Sequence, residues 1–398
     1  MVTKQLNRLL RVAKRPFRTQ AQKRHSKPAA TLRPDGTPRG KVLLSYIPEA
    51  FTSPDAEKLV HRHTHYWESA QIAATYLANG FSVDVVKYDD TQFMPKKEYD
   101  ILVSARTDLE RLAKLLPENC LKIAHLDTAH FLTNNARALA RLVDTRERRG
   151  VALRNLRTIE ENWAIEAADM GCVLGNEFTA DSYKYAGKPI HRIPISCTDT
   201  FPWPEDRNFE DARTRFMWFG SAGFVHKGLD LVLEAFKDLP DLSLTVCGPM
   251  ESEIRFVNAF HDDLYKTANI ETPGWTDVTG PAYADICRRS VATIYPSCSE
   301  GGGGSVLTCM HAGLIPIVTR GSSVDVGDFG IVLDAGTIEE IKSAANRLSS
   351  MTVAELENRA RAAWEHARAN HTQESFAKSY ENFVTTIVLP EWRQRQAR

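Results

Sequence analysis

Two stretches of this chain hold residues whose types and spacing suit chemistry on an anionic ligand. The longer runs Tyr295-Pro-Ser-Cys-Ser-Glu-Gly-Gly-Gly-Gly-Ser-Val-Leu-Thr-Cys-Met-His-Ala-Gly313. Four consecutive glycines between a strand end and an apolar helix are costly in conformational entropy. A turn needs one or two, so close approach of a ligand explains them better. Glu300 stands beside them at the carboxyl edge of a sheet, where open α/β sheets bind ligands. The shorter stretch runs Phe219-Gly-Ser-Ala-Gly-Phe-Val-His-Lys-Gly-Leu-Asp230. There a strand enters a small-residue loop, Lys227 arrives and a helix begins. Amides at a helix start plus a cation make an anion site. The spacing is neither a Walker A loop nor G-x-G-x-x-G, and a tight turn with a surface lysine is the plainer alternative.

Histidines are the other candidates. His125 follows an apolar strand, with Asp127 and His130 close behind it. These residues either reach a cleft or are hydrogen-bonded within a loop. His61, His63 and His65 alternate. On a strand all three share a face and could bind metal, whereas in the helix-like context before Tyr66 only His61 and His65 do. No carboxylate or cysteine partner is evident, and His65 could instead touch an acceptor. There is no Asp-x-Asp pair to hold a divalent cation, so neither a metal nor a resident cofactor is expected. The seven cysteines lack framework spacing and read as reduced, buried thiols of a cytosolic protein, a thiolate nucleophile being the alternative.

These residues need a scaffold, and the hydrophobic pattern supplies one. Short apolar runs at 41–47, 81–86, 100–104, 121–125, 172–174 and 191–195 read as buried parallel strands. Helices are expected at 67–78, stopped by Asn79-Gly80, and at 160–169. Residues 199–212 break the rhythm with two prolines and several charges, as an interdomain linker does. A second alternation follows: strands at 215–219, 242–247, 292–295 and 315–319, with helices at 229–237, 251–265, 282–289 and 305–312. The chain ends in helices at 338–348, 353–369 and 374–389. At 398 residues, with 43% hydrophobic and 25% charged residues, two α/β domains are the expectation.

The net charge of zero conceals an asymmetry. Residues 1–41 carry twelve Lys and Arg against one acid, Asp35, so the rest is acidic by eleven. In the first fifteen residues Leu6, Leu9, Leu10 and Ala13 recur at helical spacing among Lys4, Arg8, Arg11 and Arg15. Such a segment either contacts an anionic membrane surface, acts as a targeting sequence or is a solvated tail. It has no secretory h-region, and the longest apolar runs are too short to span a bilayer. The acidic body argues against a nucleic-acid partner.

Together the two glycine-bearing segments resemble the donor-binding half of family-four (group 1) retaining glycosyltransferases of the GT-B fold. Phe219-Gly220…Lys227-Gly228 is similar to that family's phosphate loop, and Glu300 opens a segment similar to its Glu-(seven residues)-Glu signature. Gly274-Trp275, Tyr283 and Pro296-Ser297 fall where the family has its Gly-x turn, a helix and a Pro-Ser pair. The resemblance spans about residues 213–335. It is looser in the first half, through His125, Arg137, Asp169, Gly175-Asn176 and Ile193-Pro194. Two positions depart from the pattern. Thr308 stands where the second glutamate usually binds the nucleotide ribose, and a hydroxyl cannot grip a diol bidentately. Ser221 stands where the loop often has Arg, leaving Lys227, helped by His226, as the main cation.

The resemblance implies two Rossmann-like domains facing a cleft, with C-terminal helices crossing back. On that basis residues 1–40 are a basic disordered tail, 41–198 the acceptor-side domain, 199–212 a linker, 213–372 the donor-binding domain and 373–398 a returning helix. It implies transfer of a hexose from a nucleotide-diphosphate sugar to a glycan or lipid-linked acceptor in polysaccharide or glycoconjugate biosynthesis, without a metal. The expected setting is cytoplasmic, at the inner face of a membrane. Glu300, Lys227 and His125 are the implied catalytic residues. Gly220, Ser221, Gly223, His226, Trp275, Gly302, Gly303, Gly304, Ser305, Val306 and Thr308 bind the donor, and His65 and His130 face the acceptor. The alternatives are a nucleotide-sugar epimerase or hydrolase on the same scaffold, and a non-catalytic glycan- or nucleotide-binding domain.

Overall fold

The computed structural model of the chain describes residues 24–59, 63–198 and 200–397. The amphipathic segment expected over residues 1–15, and His61, lie outside the described residues. The first domain is built on a seven-stranded sheet: β1 (Ala30–Leu32), β2 (Gly40–Tyr46), β3 (Phe81–Lys87), β4 (Ile101–Ala105), β5 (Leu121–Leu126), β6 (Met170–Leu174) and β7 (Ile190–Ile193). Its strand order is β1-β3-β2-β4-β5-β6-β7, parallel except for β1. The second sheet holds β8 (Arg215–Phe219), β9 (Ser243–Cys247), β10 (Ile270–Gly274), β11 (Ala292–Tyr295), β12 (Ile315–Thr319) and β13 (Ile331–Leu333). Its order, β10-β9-β8-β11-β12-β13, is parallel throughout and reverses direction between β8 and β11.

Every residue of β4, β6, β11 and β12 is buried, which is why these strands read as unbroken apolar runs rather than alternating ones. The final helices leave the second domain and return to the first sheet. Phe376, Tyr380, Phe383, Val388 and Trp392 pack on Val42, Leu44, Phe81 and Val83. Each such side chain contributes about 1.5–3 kcal/mol of burial, so the return is firmly anchored. The helices Ile338–Ser349 and Val353–Asn370 begin with reciprocal caps, Thr337 with Glu340 and Thr352 with Glu355. Among the described residues no helix is long and apolar enough to cross a membrane.

Several elements differ from expectation. Order begins before Lys41, because β1 pairs with β3 and Thr31 Oγ1 donates to Asp84 at 2.6 Å. The helix expected over 160–169 is a single turn, Ala164–Ala167. The helix expected over 251–265 is divided into a 3₁₀ turn (Met250–Glu253) and helices Ile254–Ala259 and His261–Tyr265. A nineteen-residue helix, Phe131–Arg149, had no apolar signature because its buried face carries Asn134, Arg141 and Thr145. Within the expected linker, Trp203 and Phe209 enter the second core, and Arg207 donates to the carbonyls of Ala312, Gly313 and Cys287.

The two domains touch along a polar seam. From helix Phe131–Arg149, Thr145 and Arg148 reach Asp230 at 3.0 and 2.5 Å, Arg149 pairs with Asp263, and Arg141 donates to the Pro296 carbonyl. Across the seam Thr179 donates to the Glu300 carbonyl at 3.3 Å and Asn176 to that of Arg320 at 3.1 Å.

Candidate active site

Ligands of open parallel sheets bind where the strand order reverses, at the carboxyl ends. In the second sheet those ends are Phe219 and Tyr295, the starting points of the two segments singled out by sequence. They bring Lys227 and Glu300 together. Lys227 Nζ donates to Glu300 Oε1 at 3.0 Å and to the Tyr295 hydroxyl at 2.9 Å. Tyr295 and Ser297 donate to the same carboxylate oxygen at 3.1 and 3.0 Å. Arg157, from the first domain, stands 3.8 Å from Oε2. Lys227 is 3% exposed and Glu300 9%, yet both line the cleft. Burial pushes the Glu300 carboxyl up, but Lys227 and Arg157 outweigh it and hold it at about 2. Burial draws Lys227 below its ordinary value, with Glu300 opposing. Glu300 is therefore ionised at neutral pH.

The loop after β8, expected to bind a phosphate, is arranged differently from expectation. The amides of Gly223 and Phe224 donate to the carboxylate of Glu253, the latter at 2.9 Å, so an acidic side chain already fills that part of the loop. Gly228 takes φ +74° at the start of helix Leu229–Lys237. A Cβ at Gly220 would meet the Trp218 ring at 2.8 Å and Lys227 Cδ at 3.2 Å. Ser221 lines the cleft, whereas His226 is buried away from it against the Ser299 carbonyl and Cys298 Sγ. Burial lowers His226 to about 4, so it is neutral and is not a second cation. Trp275, 64% exposed, stands on the cleft wall.

The four glycines have three separate causes. A Cβ on Gly301 would overlap the Asp127 carbonyl across the seam, and one on Gly302 would meet Ile195 at 2.6 Å. Gly303 takes φ +61° as the residue preceding helix Gly304–His311, and a Cβ there would strike the Ser322 carbonyl at 2.5 Å. Gly304 alone faces open space. Domain contact and turn geometry therefore account for Gly301, Gly302 and Gly303, and Gly304 alone has no protein neighbour that requires a glycine. Ser305 and Thr308 line the cleft; Thr308 Oγ1 donates back to the Gly304 carbonyl at 2.9 Å. Val306 does not: its side chain is in the core and its amide is bonded to Gly303.

The first domain forms the opposite wall of a cleft of about 610 Å³, within the usual range for ligand sites. Arg106 follows β4 with φ +63°, a strained position of the kind found at functional sites. It grips Asp127 through Nε at 3.1 Å and Nη2 at 2.7 Å, and its guanidinium lies 5.1 Å from the Tyr88 ring. His65 lines the cleft and is hydrogen-bonded to Tyr46 and Glu68. His125 sits beneath, buried, with Nδ1 3.3 Å from Cys172 Sγ and its ring against Tyr46. Burial lowers its pKa, and it is not part of the cleft lining. His130 precedes helix Phe131–Arg149 and meets the Tyr185 hydroxyl at 3.0 Å, outside the cleft. These positions correct the catalytic expectation for His125 and the acceptor expectation for His130. Among the described residues no group of three or more His, Cys, Asp or Glu is arranged to hold a metal ion.

Sequence reasoning missed Arg106, Arg157, Glu68 and Glu253. Arg157 lies in an irregular loop tied down by Asn134 and Asn135, which no periodic pattern marks. Glu68 did leave a signal: a carboxylate on the inward face of a helix, three residues after a histidine.

The two sheets and the cleft between them define a GT-B fold carrying a glycosyltransferase domain. Residues 213–351 match the family described as Glycosyl transferases group 1. Among solved structures the fold is similar to a sucrose-phosphate synthase from Thermosynechococcus elongatus (TM-score 0.57, 11% identity, 88% of this chain and 100% of that one). It is also similar to HepE from Anabaena, solved with UDP and glucose (TM-score 0.53, 10% identity, 87% and 100%). A third is TarM (TM-score 0.51, 14% identity, 72% of this chain), of which the chain spans about half, 54%. No curated protein sequence matches this chain.

Proposed function

We propose that the protein is a retaining glycosyltransferase that moves a hexose from a nucleotide-diphosphate sugar to a glycan or lipid-linked acceptor, in polysaccharide or glycoconjugate biosynthesis. The observation that carries this reading is the buried Lys227–Tyr295–Glu300 cluster at the switch point of the second sheet, beside the open helix start at Gly304. The departing diphosphate gains negative charge, and a preorganised cation with helix-terminal amides favours that transition state without a metal. Lys227 and Arg157 supply the positive charge, Glu300 meets the donor sugar, and Trp275 offers a stacking face to the base. The UDP and glucose held by HepE support a donor of this class.

The test is release of nucleotide diphosphate from a panel of UDP-, GDP- and ADP-sugars, with and without EDTA. Turnover with one donor and retention of anomeric configuration in the product are the expected results. Nucleotide binding without cleavage of any donor overturns the reading in favour of a binding domain. Release of a free sugar with no transfer to any acceptor points to a hydrolase.

The basic segment before residue 24 is proposed to bring the enzyme to an anionic membrane surface, at the cytoplasmic face. Deleting residues 1–23 should reduce binding to phosphatidylserine vesicles, with the difference shrinking as salt rises. Equal binding by both forms rules the segment out as an anchor.

A further inference from the structure

The cations beside Glu300 come from opposite domains. The second domain supplies Lys227, whose ammonium is hydrogen-bonded inside its own cluster, to Glu300 and Tyr295. The same loop adds no further charge: Ser221 brings a hydroxyl to the cleft wall, and His226 is neutral. Arg157 arrives from the first domain and borders the same space. Its backbone is tied down on both sides. The Arg157 carbonyl accepts from Asn134 Nδ2 at 2.8 Å, and its amide donates to Asn155 Oδ1 at 2.9 Å. Asn135 bonds both backbone groups of Ile159, at 2.8 and 2.9 Å. Asn134 lies on the buried face of helix Phe131–Arg149, so the loop is held from beneath.

The side chain is placed with equal definition. Its stem lies on Gly223, where a Cβ would come within 2.6 Å of Arg157 Cγ and 3.0 Å of Cδ. Gly223 is in turn clipped by Glu253 through its amide. The stem thus crosses from one domain onto the donor-side loop of the other. The guanidinium at its end has no comparable partner. It stands 3.8 Å from Glu300 Oε2, beyond hydrogen-bond distance, and among the described residues it donates no hydrogen bond. The side chain is 44% exposed, which leaves a planar fork of N–H donors at the cleft.

Two cations in so small a space oppose each other. After burial and Glu300, Arg157 is the next influence on Lys227, and it draws that ammonium further down. Glu300 lies between them, and Glu253, the other acid nearby, is held by the amides of Gly223 and Phe224. An anionic oxygen seated at the guanidinium relieves the opposition that remains. We propose that Arg157 is a donor-binding residue supplied across the gap between the domains. Its fork takes a phosphate oxygen of the nucleotide diphosphate, so the anion site is complete only when both domains stand together. This rests on the transferase reading given above and assigns its donor site a second half. The fork suits the task, because a guanidinium matches phosphate oxygens bidentately and a lone ammonium does not.

Titration calorimetry on the full chain tests this, with UDP, GDP, ADP and inorganic pyrophosphate as probes. Arg157→Ala should weaken the best-bound nucleoside diphosphate, and pyrophosphate with it, by about ten- to a hundredfold. Its melting temperature should hold, because the lost guanidinium makes no hydrogen bond and Glu300 keeps Lys227. Adding Ser221→Arg to that variant should restore most of the affinity, since the new cation enters the same cleft from the second domain. Unchanged affinity in Arg157→Ala overturns the proposal. So does a loss that comes with a lower melting temperature and that Ser221→Arg does not restore, which marks a loop that only supports the fold. A wild type that binds pyrophosphate through Arg157 but no nucleoside diphosphate fails the transferase reading and leaves the anion site standing. A wild type that binds neither overturns both.

Discussion

Lys227→Ala should lower turnover by about a hundredfold and, separately, destabilise the fold by about 3–5 kcal/mol. The first effect is the loss of the cation that the proposed reaction sets against the leaving diphosphate, typically worth ~3 kcal/mol in the transition state. The second arises because Lys227 is the first of the charges that hold the buried Glu300 carboxyl at about 2, and its removal leaves Glu300 buried with Arg157 3.8 Å away as its remaining cation. Removing one partner of a buried pair costs far more than removing both. The double variant Lys227→Met with Glu300→Gln should therefore melt near the wild type while remaining inactive. Urea denaturation and nucleotide release, measured on the same preparations, separate the two effects. Full activity in both Lys227→Ala and Glu300→Gln means the chemistry lies elsewhere.

Gly301→Ala should disable the enzyme by a different route. The added methyl would overlap the Asp127 carbonyl, backbone meeting backbone, with no flexible side chain to yield. Either the seam opens, losing the Thr179 bond to Glu300 and its neighbours, or the loop shifts and misplaces Glu300. Overpacking of this kind costs about 1–3 kcal/mol. Small-angle scattering should show a larger radius of gyration, and turnover should fall more than tenfold. Gly304→Ala, where the methyl meets open space, should leave the scattering curve unchanged. Identical scattering and activity in Gly301→Ala would mean the contact is dispensable.

Ten of the thirteen described strands, and the two loops that meet at the second sheet's switch point, were legible because buried parallel strands are apolar throughout and end in glycine, proline or charge; β1, β10 and β13 were not, because these edge strands are only partly buried. Lys227 and Glu300 followed directly from those loops. The helix Phe131–Arg149 was not legible, because the surface it buries is another domain's carboxylates rather than a hydrocarbon core. Arg157 and Glu253 escaped for the same reason: each is set by a long-range contact. His125 misled because a histidine at a strand end near a cleft is not necessarily in it; here Tyr46 and Cys172 enclose the ring. The glycine run was overread, since adjacency in sequence suggested one cause where the fold supplies three.

The backbone passes between the domains twice, once after Ile193 and again between helices Val353–Asn370 and Gln373–Phe383. The two passages are neighbours: His371 Nδ1 is 3.2 Å from the Ile195 carbonyl, and the His371 carbonyl is 3.0 Å from His311 Nε2. Two adjacent pins define an axis. Relative motion of the halves is thereby reduced from six degrees of freedom toward a single swing, and displacement grows with distance from that axis. Ile195 lies on the axis and also lines the cleft, so the floor of the cleft moves least. The Arg149–Asp263 clasp joins the halves through other elements of the seam, so it must part before they can swing.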